Sequence, residues 1–199
     1  MKTYNNDTIS GNAMNTAQKH PEKVYVLSRY DKQGRRTDQV HSYTWAETDR
    51  IIRDLSLALL SLGFKEFDRS AVFAPNRPRW IFAAFAPIFL RGSFVPIYPT
   101  SKTEDVWWIL SDSGSRFCFC GSKEHLDKVL EVKSKLPALE KIISMDPLEQ
   151  KPDPMVMSMD EFIELGRKNR DREKDLEKMA DSVQETDLAL IMYSSGTTG

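Results

Sequence analysis

The feature that most constrains this chain is a repeat of short apolar runs, each followed by a segment with helical periodicity. Ser70–Ala74, Phe94–Ile97, Arg116–Cys120 and Lys141–Met145 are four such runs, each of strand length. Before the first and between successive runs lie segments whose apolar residues recur at helical spacing. Ile51, Ile52, Leu55, Leu59 and Leu62 form the first set. Trp80, Ile81, Ala84, Phe85 and Ile88 form the second, Val106 to Leu110 the third, and Leu126, Val129, Leu130 and Val132 the fourth. Strands that are apolar without alternation are covered on both faces, and strands separated by helices run parallel. The fold class expected is α/β, a mostly parallel sheet flanked by helices.

The helix ends are marked as well. Thr44-Trp45-Ala46-Glu47, Ser101-Lys102-Thr103-Glu104 and Ser158-Met159-Asp160-Glu161 each fit a capping box. Ser122 is expected to cap a helix reaching about Leu136. Asn76 is expected to cap the next helix in from its N-terminal side, with Pro78 in its first turn. Gly63 and Gly92 read as helix stops, and Pro87 predicts a kink or early end. Gln150–Pro154 is a proline-rich loop. Arg167–Lys178 carries charges of both signs and reads as a solvated helix or connector. Leu188–Tyr193 reads as a last strand.

Charge and composition narrow the function classes. The 28 basic and 29 acidic side chains leave a formal net charge of −1, which gives no footprint for nucleic acid. The longest apolar run, Trp80–Leu90, is broken by Pro87 and is shorter than the ~20 residues of a membrane span. Met1–Gly11 is polar and lacks the apolar core of a secretory signal. A soluble cytoplasmic protein is expected, with peripheral contact at a membrane left open. Cys118 and Cys120 share one face of a strand, where they do not pair readily. They read as core residues in a reducing compartment. His20, His41 and His125 are scattered, without the spacing of metal ligands. Trp107 and Trp108 read as packing residues rather than a lipid pocket.

One segment carries chemistry. Leu188–Tyr193 runs into Ser194-Ser195-Gly196-Thr197-Thr198-Gly199, in which four of six residues bear hydroxyls. Glycines let the backbone approach an anion, and successive N–H groups converge on it. Serine and threonine add donors. The spacing is not that of a Walker loop, and a generic cluster of this kind also reads as a polar turn.

Tyr193-Ser194-Ser195-Gly196-Thr197-Thr198-Gly199 resembles the phosphate loop of the adenylate-forming superfamily, which includes acyl-CoA synthetases, luciferases and peptide-synthetase adenylation domains. In that family the loop continues x-Pro-Lys. Thr44–Glu47 and Pro75–Trp80 are similar to two of the family's helix starts. Gly92-Ser93-Phe94-Val95-Pro96-Ile97-Tyr98-Pro99-Thr100 and Leu136–Ile143 resemble the long-chain fatty acyl-CoA synthetase branch. The resemblance covers roughly Tyr43–Gly199.

The resemblance implies the N-terminal part of an ATP-dependent acyl-CoA ligase, with ATP, coenzyme A and a long-chain fatty acid as substrates and Mg²⁺ as cofactor. It implies that Ser194, Ser195, Gly196, Thr197, Thr198 and Gly199 bind the ATP phosphates, and leaves the metal ligands open. It implies no catalytic residue within these 199 residues. The family's adenine and ribose segments, hinge and catalytic lysine come later. Residues 1–42 are expected as a lead-in, 43–180 as an α/β subdomain, and 181–199 as the start of a second. The other readings are an enzyme for an aryl or medium-chain acid, a different nucleotide binder, and a non-enzymatic partner-binding module.

Overall fold

A computed structural model describes residues 2–194. Five strands form one parallel sheet: β3 (Arg69–Phe73), β4 (Ser93–Ile97), β5 (Phe117–Cys120), β6 (Lys141–Ser144) and β7 (Val156–Ser158), ordered β4-β3-β5-β6-β7. The four expected strands are present. β7 was not foreseen, because three residues behind a proline-rich loop carry no periodicity.

Helices cover both faces. On one side lie α1 (Ile9–Lys19), α2 (Trp45–Ser61), α3 (Pro78–Ile88), α6 (Met159–Lys168) and α7 (Glu173–Ser182). Their residues Leu55, Leu59, Phe82, Phe162 and Leu176 share a core with Val72, Phe117, Phe119 and Ile143 of the sheet. On the other side α4 (Thr103–Ser113) and α5 (Lys123–Val132) bury Val106, Leu110, Leu126 and Val129 against Ala71, Phe73, Cys118, Cys120 and Ile142. All four residues of β5 are buried, as unalternated apolar strands require. The thiols of Cys118 and Cys120 are free and lie 4.0 Å apart on one face.

Capping boxes close α2 and α6. Glu47 N–H donates to Thr44 Oγ1 at 3.2 Å, and Thr44 N–H to Glu47 Oε2 at 2.9 Å. Ser158 and Glu161 repeat this at 2.9 and 3.2 Å. Ser122 caps α5 as expected, and Gly63 leaves α2 with φ 82°. Pro87 ends α3 early, since the helix stops one residue later at Ile88.

Three expectations are corrected. Asn76 does not cap α3; Arg77 is the N-cap, held extended because the residue before Pro78 is kept out of the α region. Ser101 is committed to a turn by its N–H bond to Tyr98 O, so α4 starts at Thr103, and Asp105 accepts from Lys102 N–H at 3.1 Å. Gly92 is not the stop of α3. Arg91 holds the left-handed conformation (φ 56°), and Gly92 passes so close to Phe64 and Asp68 that a Cβ would sit 2.6–2.7 Å from them.

Before Thr44, where no element was foreseen, α1 precedes an antiparallel hairpin of β1 (Val24–Tyr30) and β2 (Arg36–Thr44). The charged stretch 167–178 is less solvated than expected. Arg167 and Arg170 both bind Asp54 of α2, whose side chain is 1% exposed, and Leu176 is buried. α6 crosses α2 so closely that a Cβ on Gly166 would lie 1.7 Å from Asp54 O.

Candidate functional site

Open α/β sheets bind ligands at the carboxyl ends of their strands, where the chain switches direction. Here that crevice lies between β3 and β5, whose following helices pack on opposite faces. The chain fills it with its own groups. Buried Arg77 donates to Gly121 O and to Asp146 Oδ1, each at 2.6 Å, and also to Gly34 O. Its guanidinium stacks 4.6 Å from the centre of the Tyr30 ring. A Cβ on Gly121 would lie 2.5 Å from the Ala74 Cβ. Arg79 similarly donates to Met145 O at 2.8 Å, Lys32 O at 3.0 Å and Asp160 Oδ1 at 2.5 Å. Both arginines therefore tie the hairpin turn to the end of the sheet, and of their buried donors only Arg77 Nε is left without a partner among the described residues.

The candidate loop leaves from the outer edge of the sheet. Its approach, expected as a strand over Leu188–Tyr193, makes a single parallel bridge between Leu190 and Phe94. Phe94 N–H donates to Ala189 O at 3.0 Å and Ile191 N–H to Phe94 O at 3.1 Å. Side chains supply the rest of the attachment. Arg91 Nε meets Asp187 Oδ2 at 2.7 Å, and Ser93 Oγ donates to Leu188 O at 2.5 Å. Tyr193 OH donates to Asp112 Oδ2 at 2.6 Å, and its ring stands edge-on to Trp108, centroids 5.1 Å apart. The ladder goes no further than this bridge, because the next edge-facing residue of β4 is Pro96, which has no N–H to donate.

Ile191 and Tyr193 turn toward the α4–α5 core, whereas Met192 and Ser194 are exposed. Met192 flanks a cleft of about 170 Å³ with Asn76, Trp80, Pro96 and Tyr98 at the carboxyl end of β4. Because the bridge is parallel, Ser194 follows the segment in the direction in which β4 runs. Of the expected phosphate residues only Ser194 is among the described ones; Ser195, Gly196, Thr197, Thr198 and Gly199 lie outside them.

The electrostatics follow this geometry. Burial of the Tyr193 phenol, then its bond to Asp112, pushes its pKa up to about 12. The Arg91 hydrogen bond holds the Asp187 carboxyl below the usual carboxylate range. Burial raises the Cys120 thiol well above its ordinary value, so it is an inert core group. His125 is lowered by burial; its Nδ1 meets Ser122 Oγ at 2.5 Å and its Nε2 meets Pro99 O at 3.1 Å. Among the described residues no group of three or more His, Cys, Asp or Glu is placed to hold a metal ion. No helix among them is long and apolar enough to cross a membrane.

The sequence points to a loop at Ser194–Gly199 but not to what holds its approach. Tyr193 was visible as the residue before the loop. Nothing in the sequence marks Asp112 as its partner, or couples Arg91 to Asp187, because the members of each pair lie far apart in the chain.

Comparison with known proteins agrees with this architecture. The family model described as AMP-binding enzyme matches residues 14–199. A human long-chain-fatty-acid–CoA ligase, ACSBG1, is 29% identical over 167 residues, which are 83% of this chain and 22% of that protein. FadD15, a long-chain-fatty-acid–CoA ligase of Mycobacterium bovis, is 33% identical over 156 residues, 78% of this chain and 25% of that protein. This chain thus spans about a quarter of the length of these curated relatives. Two crystal structures share the fold. The anthranilate CoA ligase AuaEII has a TM-score of 0.73 at 18% identity, covering 100% of this chain and 34% of its own. The long-chain-fatty-acid-CoA ligase FadD1 of Archaeoglobus fulgidus has 0.72 at 19%, covering 98% and 36%. With a flanked parallel sheet and a family match over residues 14–199, the chain belongs to the AMP-binding enzyme family.

Proposed function

We propose that this chain is the N-terminal part of an ATP-dependent acyl-CoA ligase acting on a long-chain fatty acid. The observation that carries the reading is the string Tyr193–Gly199, which resembles a phosphate loop, in a chain whose curated relatives are long-chain-fatty-acid–CoA ligases. In this reading residues 43–180 are the α/β subdomain, and 181–199 open the next one with Ser194–Gly199 as the ATP-phosphate residues.

A carboxylate is a poor electrophile. Its oxygen attacks the α-phosphorus of ATP, pyrophosphate leaves, and the acyl-adenylate so formed carries AMP as a good leaving group. The thiol of coenzyme A then displaces AMP. The loop's backbone N–H groups and hydroxyls offset charge growing on the departing pyrophosphate. Mg²⁺, when bound, adds further charge neutralisation. The protein acts in the cytoplasm and meets its lipid substrate by surface contact. The 199 residues alone are expected to be catalytically silent, since the adenine site and the lysine belong to the remainder of such an enzyme.

The test is acid-dependent ATP–pyrophosphate exchange by the full-length protein, with fatty acids from short to long and an aromatic acid. Exchange peaking with long chains supports the reading. A peak with another acid keeps the adenylation step and discards the substrate. No exchange with any acid, from folded protein, favours a partner-binding module.

A further inference from the structure

We propose that Asp112 of α4 is a positioning residue for the ATP-phosphate loop, acting through the Tyr193 hydroxyl; this rests on the function proposed above. The backbone holds the approach to the loop only as far as Ile191, whose N–H donates to Phe94 O at 3.1 Å. At about 3.3 Å per extended residue, the start of the loop lies roughly 10 Å beyond that last ladder contact. Over this distance the side chain of Tyr193 makes the directional contacts. Its ring rests edge-on against Trp108, and its hydroxyl donates to Asp112 Oδ2 at 2.6 Å.

The ring contact alone leaves the side chain free to slide along the helix surface. The hydroxyl bond removes that freedom, because a short bond to a carboxylate is both stronger and more directional than a neutral one. The backbone of Tyr193 is therefore pinned one residue before Ser194.

The placement of Asp112 points the same way. It lies in the last turn of α4, which ends at Ser113 and Gly114. A negative charge there opposes the helix dipole, so local preference disfavours an acid at this position. Arg69 offsets the cost by donating to Ser113 O at 2.6 Å and Gly114 O at 3.3 Å. A locally unfavourable acid supported by a neighbouring arginine, with its carboxylate on one tyrosine hydroxyl, indicates a tertiary task.

The experiment measures ATP and fatty-acid KM and kcat for pyrophosphate exchange by full-length wild type, D112A, D112N, Y193F and D112A/Y193F. Losing a hydrogen bond to a charged group predicts an ATP KM about tenfold higher for D112A and for Y193F. The fatty-acid KM stays near wild type, and D112N, whose amide oxygen still accepts, recovers part of the loss. The double variant is no worse than either single, since both remove the same contact. An unchanged ATP KM in D112A, or losses that add in the double variant, overturns the proposal. Wild type that exchanges with no acid overturns the proposed function instead. The anchor is then read from amide hydrogen exchange: acceleration at Tyr193 and Ser194 in D112A sustains it, and unchanged exchange there sinks it.

Discussion

The middle of the sheet and its β4 edge are held by different physics. β5 is buried over its whole length between two helical layers, Phe119 edge-on to Phe162 on one face and Cys118 and Cys120 on the other. Along the β4 edge, Leu188 and Met192 of the incoming segment are each 60% exposed. What holds the segment is a single bridge, an ion pair and two hydroxyl bonds, with only the half-buried Ile191 and Tyr193 adding apolar contact. Apolar burial is large but undirected, so it decides that a strand is inside. Hydrogen bonds are small but directional, so they decide where an otherwise loose segment stops. A loop that must meet a triphosphate in register needs the second kind.

The contrast is broken most strongly by Phe119→Ala. Emptying this site should cost about 3–5 kcal/mol, read as a lower urea midpoint. Gly166→Ala tests the layer that covers the sheet. Its methyl meets Asp54 O at a point only 1.7 Å away, so α2 and α6 must part. Overpacking of this kind costs about 1–3 kcal/mol, visible as a lower melting temperature. Ser93→Ala moves to the edge, where it removes the donor to Leu188 O. The expected cost is about 1 kcal/mol, concentrated as faster amide exchange at Ile191 while β5 stays protected.

The smallest effect is set by pH. The Asp187 carboxyl is held below its unfolded value by Arg91, so its contribution is fully present above the ordinary carboxylate pKa of about 3.9. It is lost as pH falls through the lowered value in the folded protein. Exchange at Ile191 should therefore accelerate on acidification below about pH 4 relative to an Asp187→Asn variant, which has no such dependence. Equal pH profiles would show that the pair does not hold the edge.

The same division decides what could be read from the sequence. β3 to β6 were legible because strands covered on both faces spell themselves as apolar runs, and Thr44, Ser122 and Ser158 marked their helices by short-range chemistry. Asn76 misled because Pro78 restricts its own predecessor, Arg77, and so moves the cap by one position. The hairpin was illegible because its strands do not alternate. A bulge between Val24 and Val26 shifts the pleat and leaves Leu27 69% exposed, so an apolar residue points outward. Tyr193–Gly199 was found through resemblance. The Tyr193–Asp112 contact was not, since its two halves lie on separate elements and no local pattern couples them.

The parallel bridge has a consequence for synthesis on the ribosome. Ala189 and Ile191, the residues that satisfy the N–H and C=O of Phe94, are made about a hundred residues after it. At about 5–20 residues per second the β4 edge waits roughly 5–20 s for its partner. During that interval it is an apolar template open to strands of neighbouring nascent chains. Pro96, which has no N–H to offer, sits in the middle of that edge and interrupts any ladder a stranger could begin.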